Sequence, residues 1–398
     1  MGTRNVVILS LSQAFSMCGP PLILLVGGIV GAELAPNPTL ATLPLSLGIL
    51  GLAVSAIPAA LIMKRIGRRR GFAASAAWGV LAALLAAYAV ANGSFLLFCL
   101  AAFMVGMNNA FVQQYRFAAA ESVAPNQAGR AVSFVLVGGV AAGILGPEIG
   151  KRAKDLLEAG PYVGSFASLA LIYLLVFGLA LLLRDVAPRA DAAQGVERPL
   201  RQVVLQPAFL LAMLASCVAY GVMSFIMTAT PAQMHVVAGH SLDATTLVIQ
   251  SHIVAMFLPS LATGLVIERL GVQRVMAVGL AALSATVLLG MASRDFIHYW
   301  GALVLLGLGW NFLFIGGTTL LTRSYRPAER FKAQAVNDFT IFGVQAAASI
   351  SAGAVLFQAG WRVVNLVTLP ALLALFVALL ALRGRLAQPA EGLVSVGD

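Results

Sequence analysis

The chain has 398 residues, 60% apolar and only 10% charged, with a net charge of +10 and a mean hydropathy of +0.93. A soluble domain carries about 25% charged residues, so this composition excludes a soluble enzyme. Nor is the positive charge a nucleic-acid footprint, because no Lys/Arg run is interleaved with aromatics as in a single-strand binder.

Apolar runs of about 20 residues recur along the whole length, each long enough to cross a bilayer as a helix. In chain order the twelve predicted spans are 6–30, 40–63, 72–91, 94–122, 129–149, 162–184, 206–230, 243–267, 274–292, 295–322, 331–357 and 360–384. The first run is too long and too rich in Gly and Pro for a cleaved leader, and no small-residue cleavage site is visible. With the N-terminus placed in the cytoplasm, nineteen of the 25 Lys and Arg fall on the cytoplasmic side. That asymmetry sets orientation and predicts that both termini are cytoplasmic. No Gly-x-x-x-x-Gly-Lys-Ser/Thr loop is present, so ATP is not expected to drive the protein. No Cys-x-x-Cys occurs among Cys18, Cys99 and Cys217, which removes a redox or zinc signature.

The chain repeats itself at about half length. Residues 60–67 read Ala-Leu-Ile-Met-Lys-Arg-Ile-Gly, and residues 264–271 read Gly-Leu-Val-Ile-Glu-Arg-Leu-Gly. Gly106-Met107-Asn108 is echoed by Gly309-Trp310-Asn311. A polar stretch at 185–205 separates the copies. The predicted organisation is an N-terminal six-helix half (1–184), a cytoplasmic linker (185–205), a C-terminal six-helix half (206–386) and a cytoplasmic tail (387–398). Two parallel six-helix halves around a midplane site are the layout of major facilitator transporters. The loop at 60–69 resembles that superfamily's Gly-x-x-x-Asp-Arg-x-Gly-Arg-Arg motif: Arg65, Gly67, Arg68 and Arg69 match, while Ala60 and Lys64 depart from it. The second copy keeps Gly264, Glu268, Arg269 and Gly271. The fold class expected is therefore all-α integral membrane, with twelve helices in two halves.

Polar and soft side chains inside the spans point to substrate. Met223-x-x-x-Met227 and His252-x-x-x-Met256 have i,i+4 spacing within apolar segments. Thioethers and imidazole are soft or borderline ligands that suit Cu(I), and a histidine within a membrane span is functional by default. Depths at 1.5 Å per residue, measured from Pro231 and Asp243, put Met223 and His252 level, with Met227 nearer the outside and Met256 nearer the midplane. Met234, His235 and His240 would collect the ion at the mouth. Met213 and Cys217 extend the sulfur-bearing face of helix seven toward the cytoplasm and form a candidate exit step. Gln250 would orient the His252 ring. Arg116 in helix four would be neutralised by Glu121 or Asp338, and Asn337 with Asp338 would make a gating contact.

The segment 223–260 resembles the CcoA-type bacterial copper importers, in which such Met-x-x-x-Met and His-x-x-x-Met motifs bind copper destined for cbb-type cytochrome c oxidase. That resemblance implies a transporter of the bacterial inner membrane with no permanently bound cofactor. Copper is then the substrate, membrane lipid the surroundings, and a copper chaperone or oxidase assembly proteins the partners. A related branch of the same family carries riboflavin, which leaves an organic solute as the alternative. Residues 142–150 are similar to the helix-five motif of proton-coupled drug antiporters, matching at Gly146, Pro147 and Gly150, which leaves efflux as a third reading.

Overall fold

The computed structural model describes residues 2–123, 128–184, 198–326 and 329–382. Most of the expected linker and all of the expected tail lie outside the described residues. Among those described, the backbone forms twelve helical rods. In the first half they are α1 (Gly2–Ser16, then Gly19–Leu22, a π-turn Ile23–Gly27 and Gly28–Leu34), α2 (Leu43–Ile66), α3 (Arg68–Ala91), α4 (Phe95–Val112 continued by Tyr115–Glu121), α5 (Ala128–Arg152) and α6 (Val163–Leu181). In the second they are α7 (Pro207–Pro231 continued by the π-turn Ala232–Val237), α8 (Leu242–Phe257 and Ser260–Leu270), α9 (Val272–Ala292), α10 (Phe296–Thr322), α11 (Arg330–Ala359) and α12 (Trp361–Leu366 and Leu369–Ala381). Ten of the twelve are long and apolar enough to cross a membrane, and α8 makes an eleventh when its two pieces are taken together. The remaining rod, α5, has 25 residues, a length of about 37 Å. The protein is thus a multi-pass membrane protein. The side holding residues 2 and 382 is called the terminal side below, and the opposite one the far side.

The sequence repeat has a structural counterpart. Gly67 and Gly271 cap α2 and α8 with φ of 86° and 84°, a left-handed conformation that costs glycine little. Each lets the chain turn at once into the next helix. In the second repeated element Gly106 brings α4 onto α2 so closely that a Cβ there would stand 1.8 Å from the Gly48 carbonyl oxygen. Gly309 likewise seats α10 against α9, where a Cβ would stand 2.9 Å from the Gly279 oxygen.

Two helices break where the residues require it. In α1, Gly19-Pro20-Pro21 interrupts the backbone ladder, since proline supplies no N–H. In α8, Pro259 accompanies a 44° bend. The bend is held from α10: Asn311 Nδ2 donates to the Met256 carbonyl at 2.7 Å, and Thr263 Oγ1 donates to Asn311 Oδ1 at 2.7 Å.

The halves meet on the far side. Helix α2 packs on α11 and α5 on α8, while the far ends of α1 and α7 touch. A Cβ on Gly28 would lie 3.2 Å from the Pro231 Cβ. Ser46 Oγ and Ser349 Oγ are 2.9 Å apart, with Thr228 Oγ1 3.0 Å from Ser349. Lys151 Nζ reaches Asp243 Oδ1 at 3.0 Å, and Gln250 Nε2 donates to the Ile144 carbonyl at 2.9 Å. By contrast, the terminal-side pieces Gly2–Ser16, Tyr115–Glu121, Leu200–Val204 and Ser260–Leu270 pack principally within their own halves. The arrangement is a bundle closed on the far side whose halves part toward the terminal side.

Candidate functional site: the cleft between the halves

The residues expected to hold copper are all present in ordered helix, but their placement differs from the ladder expected. Met223, Met227, His252 and Met256 are buried, each 8% exposed or less, and the three methionines belong to the large apolar core. Helix α10 stands against both α7 and α8. It meets α7 through Trp310, Phe314 and Gly317, and α8 through Leu303, Gly307 and Asn311. The mean directions of those two faces lie about a sixth of a turn apart. The register along α10, with Ser216 opposite Gly317 and the turn from His252 to Met256 opposite Gly307, brings Met227 level with His252 and Met223 level with Met256. The expected levels were one turn out because α7 continues to Val237 rather than ending at Pro231.

His252 is 1% exposed. Its Nδ1 lies 2.8 Å from the Leu303 carbonyl, which can only accept, so the neutral ring carries its proton there and leaves Nε2 as a lone pair. No hydrogen-bond partner meets that Nε2. The orienting partner is thus a backbone carbonyl and not Gln250, which is spent on Ile144 across the half-interface.

The residues expected at the mouth are held in the far-side turn. Met234 is fully buried within the π-turn and packs in the core. His235 Nδ1 is held 2.9 Å from the His240 carbonyl, and His240 Nε2 lies 2.9 Å from the Arg294 carbonyl. Each ring donates to a carbonyl, and the pair staples the far-side turn instead of hanging in a loop. Met213 and Cys217 are half-buried. They lie about 100° around α7 from Ala212 and Ser216, the residues that seat on Gly317 of α10. Among the described residues no group of three or more His, Cys, Asp or Glu is placed to hold a metal ion.

A different constellation occupies the cleft. Tyr220 of α7 is surrounded edge-on by Trp310 and Phe314 of α10 and Phe342 of α11, at ring-centre distances of 5.2, 5.3 and 6.0 Å. Trp310 and Phe314 stack at 4.9 Å, and Phe257 of α8 meets Trp310 at 5.9 Å. Four of these five rings are only half-buried. Trp310 lies fourteen residues from the far end of α10 and twelve from its terminal end, close to the bilayer midplane. Its indole N–H is buried with no hydrogen-bond partner, as are Asn337 Oδ1 and Gln345 Oε1 of α11 and Asn109 Oδ1 of α4. Arg116 of α4 and Asp338 of α11 act electrostatically on each other and on Tyr220, so a cation from one half and a carboxylate from the other flank the aromatic rings. Asn337 Nδ2 donates to Asp338 Oδ1 at 3.1 Å. Of the two neutralisers expected for Arg116, Asp338 acts on it electrostatically, while the Glu121 side chain lies outside those described. Flat apolar faces next to unspent donors and acceptors form a site for a planar, polar-edged solute.

Sequence reasoning noted Trp310 only as part of a repeat. The available signal was depth: tryptophan and tyrosine concentrate at membrane interfaces, and Trp310 and Tyr220 stand near mid-span.

Sequence reasoning also missed an anchor at the terminal side. Arg198 grips Glu329 with Nη2–Oε2 at 2.6 Å and Nε–Oε1 at 2.7 Å, tying the segment before α7 to the start of α11. The guanidinium holds the Glu329 carboxyl down to about 2, aided by the backbone N–H groups of Arg326 and Arg198.

Comparison with known proteins agrees with this architecture. The chain is 40% identical over 379 residues, 95% of each chain, to the riboflavin transporter RfnT of Brucella anthropi. It is 31% identical over 385 residues, 92% of this chain and 88% of the relative, to the uncharacterized MFS-type transporter YdeG of Bacillus subtilis. A crystal structure of a point mutant of the nucleoside transporter NupG superposes with a TM-score of 0.71 over 95% of this chain and 99% of that one; at 14% identity it shares the fold alone. The family model of the Major Facilitator Superfamily matches residues 9–262 and 238–396, and with the two six-helix halves around a central cleft these matches show that the chain is a secondary transporter belonging to the Major Facilitator Superfamily.

Proposed function

We propose that the protein carries riboflavin, or a solute built on the same flat tricyclic ring, into a bacterial cell across the plasma membrane by alternating access. The observation that carries the reading is the midplane ring cluster of Tyr220, Phe257, Trp310, Phe314 and Phe342. An isoalloxazine is planar and apolar on both faces, with hydrogen-bonding groups along one edge. Each aromatic contact contributes about 0.5–1.5 kcal/mol beyond area burial. The buried N–H of Trp310 and the amide oxygens of Asn109, Asn337 and Gln345 are suited to a polar edge or a ribityl chain. The 40% identity to a riboflavin transporter supports the same reading. With the Lys/Arg-rich terminal side in the cytoplasm, the closed far side faces outward, and the conformation is the one that releases solute inward. The test is uptake of labelled riboflavin by a riboflavin-requiring bacterium lacking its own carrier, with and without the chain. Growth and uptake at micromolar riboflavin are expected only with the chain, and equal uptake by both strains refutes the reading.

One observation favours a second reading, transport of copper. His252 presents an unspent Nε2 lone pair on α8, four residues from the buried Met256, and Met223 and Met227 are buried on α7. Labelled copper measured in the same strains separates the two: chain-dependent copper uptake lost in His252→Ala supports metal, and chain-independent copper uptake removes it.

A further inference from the structure

Asp338 and Phe342 are four residues apart on α11 and so share one helix face. Phe342 packs on Tyr220 and also against the first half, in a small cluster with Leu52, Ala59 and Ala110. Asp338 therefore stands in the cleft one turn to the terminal side of the ring cluster, steadied by Asn337. Arg116 stands on α4 of the other half, six residues to the terminal side of Ala110, which clusters with Phe342, and it acts electrostatically on Asp338. The rings supply faces but cannot distinguish one flat heterocycle from another. The charged pair can, because a carboxylate only accepts hydrogen bonds and a guanidinium only donates.

We infer that Asp338 and Arg116 form a subsite for an imide edge, an N–H between two carbonyl groups, with the Asp338 carboxylate accepting from the N–H and Arg116 donating to a flanking carbonyl. The pyrimidinedione end of a flavin has that edge, and this inference rests on the flavin reading above. The subsite bridges the two halves, since Arg116 belongs to α4 and Asp338 to α11. A solute held there touches both halves at once, so recognition and half-closure use the same atoms. A site built around a hydrogen bond rejects an analogue lacking it, because its own polar group is left unpaired.

The experiment compares riboflavin with its N3-methyl derivative, which keeps the ring faces, both carbonyls and the ribityl chain but lacks the imide N–H. Each is titrated as an inhibitor of labelled riboflavin uptake in wild type and Asp338→Ala. The wild type is expected to bind the methylated compound at least about 30-fold more weakly, as loss of a charge-assisted hydrogen bond implies. Asp338→Ala is expected to bring that ratio to within about threefold, mainly by weakening riboflavin. A wild-type ratio near one, or an unchanged ratio in the variant, overturns the subsite while leaving riboflavin transport standing. Absence of riboflavin uptake in the wild type overturns the functional reading and the subsite with it. If Asp338→Ala does not reach the membrane, Asp338→Leu, of similar size and with no acceptor, is purified and the quenching of riboflavin fluorescence measured. The same narrowing of the ratio supports the subsite, and wild-type discrimination refutes it.

Discussion

Replacing both Ser46 and Ser349 with cysteine tests whether far-side closure is one phase of a transport cycle. Their hydroxyl oxygens are 2.9 Å apart across the half-interface, which places two cysteine sulfurs within reach of a bond about 2.05 Å long. The polar bridges described between the halves are this contact, the Gln250–Ile144 hydrogen bond and the Lys151–Asp243 ion pair. Two hydrogen bonds at about 0.5–1.5 kcal/mol each and one exposed pair at up to about 1 kcal/mol sum to about 1–4 kcal/mol. Thermal motion crosses such a bias easily, as a cycling carrier requires. Deleting one bridge, as in Ser349→Ala, should therefore shift the balance of states by no more than about tenfold. A covalent bond at the same place cannot open. Uptake by the double-cysteine variant is expected to fall below about a tenth of wild type on oxidation, and to return on adding reductant. Each single variant should be insensitive, since Cys18 and Cys99 are buried and Cys217 lies eleven residues, about 16 Å, along α7 from Thr228, the neighbour of Ser349. Undiminished uptake at complete cross-linking would show that the far side need not open, and the alternating-access reasoning would be wrong.

Other consequences follow from the packing and the charges. Tyr220→Ala removes the ring that three others surround, and should raise the riboflavin concentration for half-maximal uptake by about 10- to 100-fold, on the scale of one stacking contact of about 1–3 kcal/mol; an unchanged value removes the ring cluster from the binding site. Gly106→Ala must force α2 and α4 apart, since its Cβ would lie 1.8 Å from a backbone oxygen; a loss of at least about 1–3 kcal/mol, read as a lower melting temperature in detergent or failure to accumulate in the membrane, is expected. The Arg198–Glu329 anchor sets a pH window. The folded carboxyl sits at about 2, below its unfolded value near 4.3, so its stabilisation is complete above that unfolded value and is lost as pH falls toward 2. Glu329→Gln should melt earlier than wild type at pH 7, with the gap narrowing below pH 4 and closing only as pH falls to about 2; parallel melting curves across that range refute the assignment.

Much of the fold was legible because the bilayer makes the rules severe. A chain that must satisfy every backbone group within hydrocarbon forms helices there, so apolar run length located the rods to within a few residues. The repeated Arg-Ile-Gly and Arg-Leu-Gly segments also read correctly, because Gly67 and Gly271 both require positive φ. What the pattern missed were breaks and continuations. The π-turn at Ala232–Val237 keeps α7 going past Pro231, and the bend at Pro259 divides α8 within the expected span 243–267. Neither changes mean hydropathy, so a window reading passes over both.

The site was harder for a specific reason. Spacing says which residues of one helix share a face, but not which neighbour that face meets. Met223 and Met227 do share a face, as do His252 and Met256. The inference that the two faces meet each other assumed that α7 and α8, joined by a short turn, pack side by side. Instead α10 packs against both. The same helix then carries the feature that matters for a flat solute, since Trp310 and Phe314 project to Tyr220 while Asn311, one residue on, clamps the α8 bend. One segment of α10 thus links the ring cluster to the break in α8. The terminal-side piece Ser260–Leu270 packs principally on α9 and α10, so it is the part of α8 placed to swing when the halves rock. A solute that displaces Trp310 would pull on Asn311 and, through Thr263 and the Met256 carbonyl, on that hinge. Occupancy of the rings and the angle of α8 are in this way mechanically joined, which is the kind of coupling that a carrier needs between holding its cargo and changing the side to which it is open.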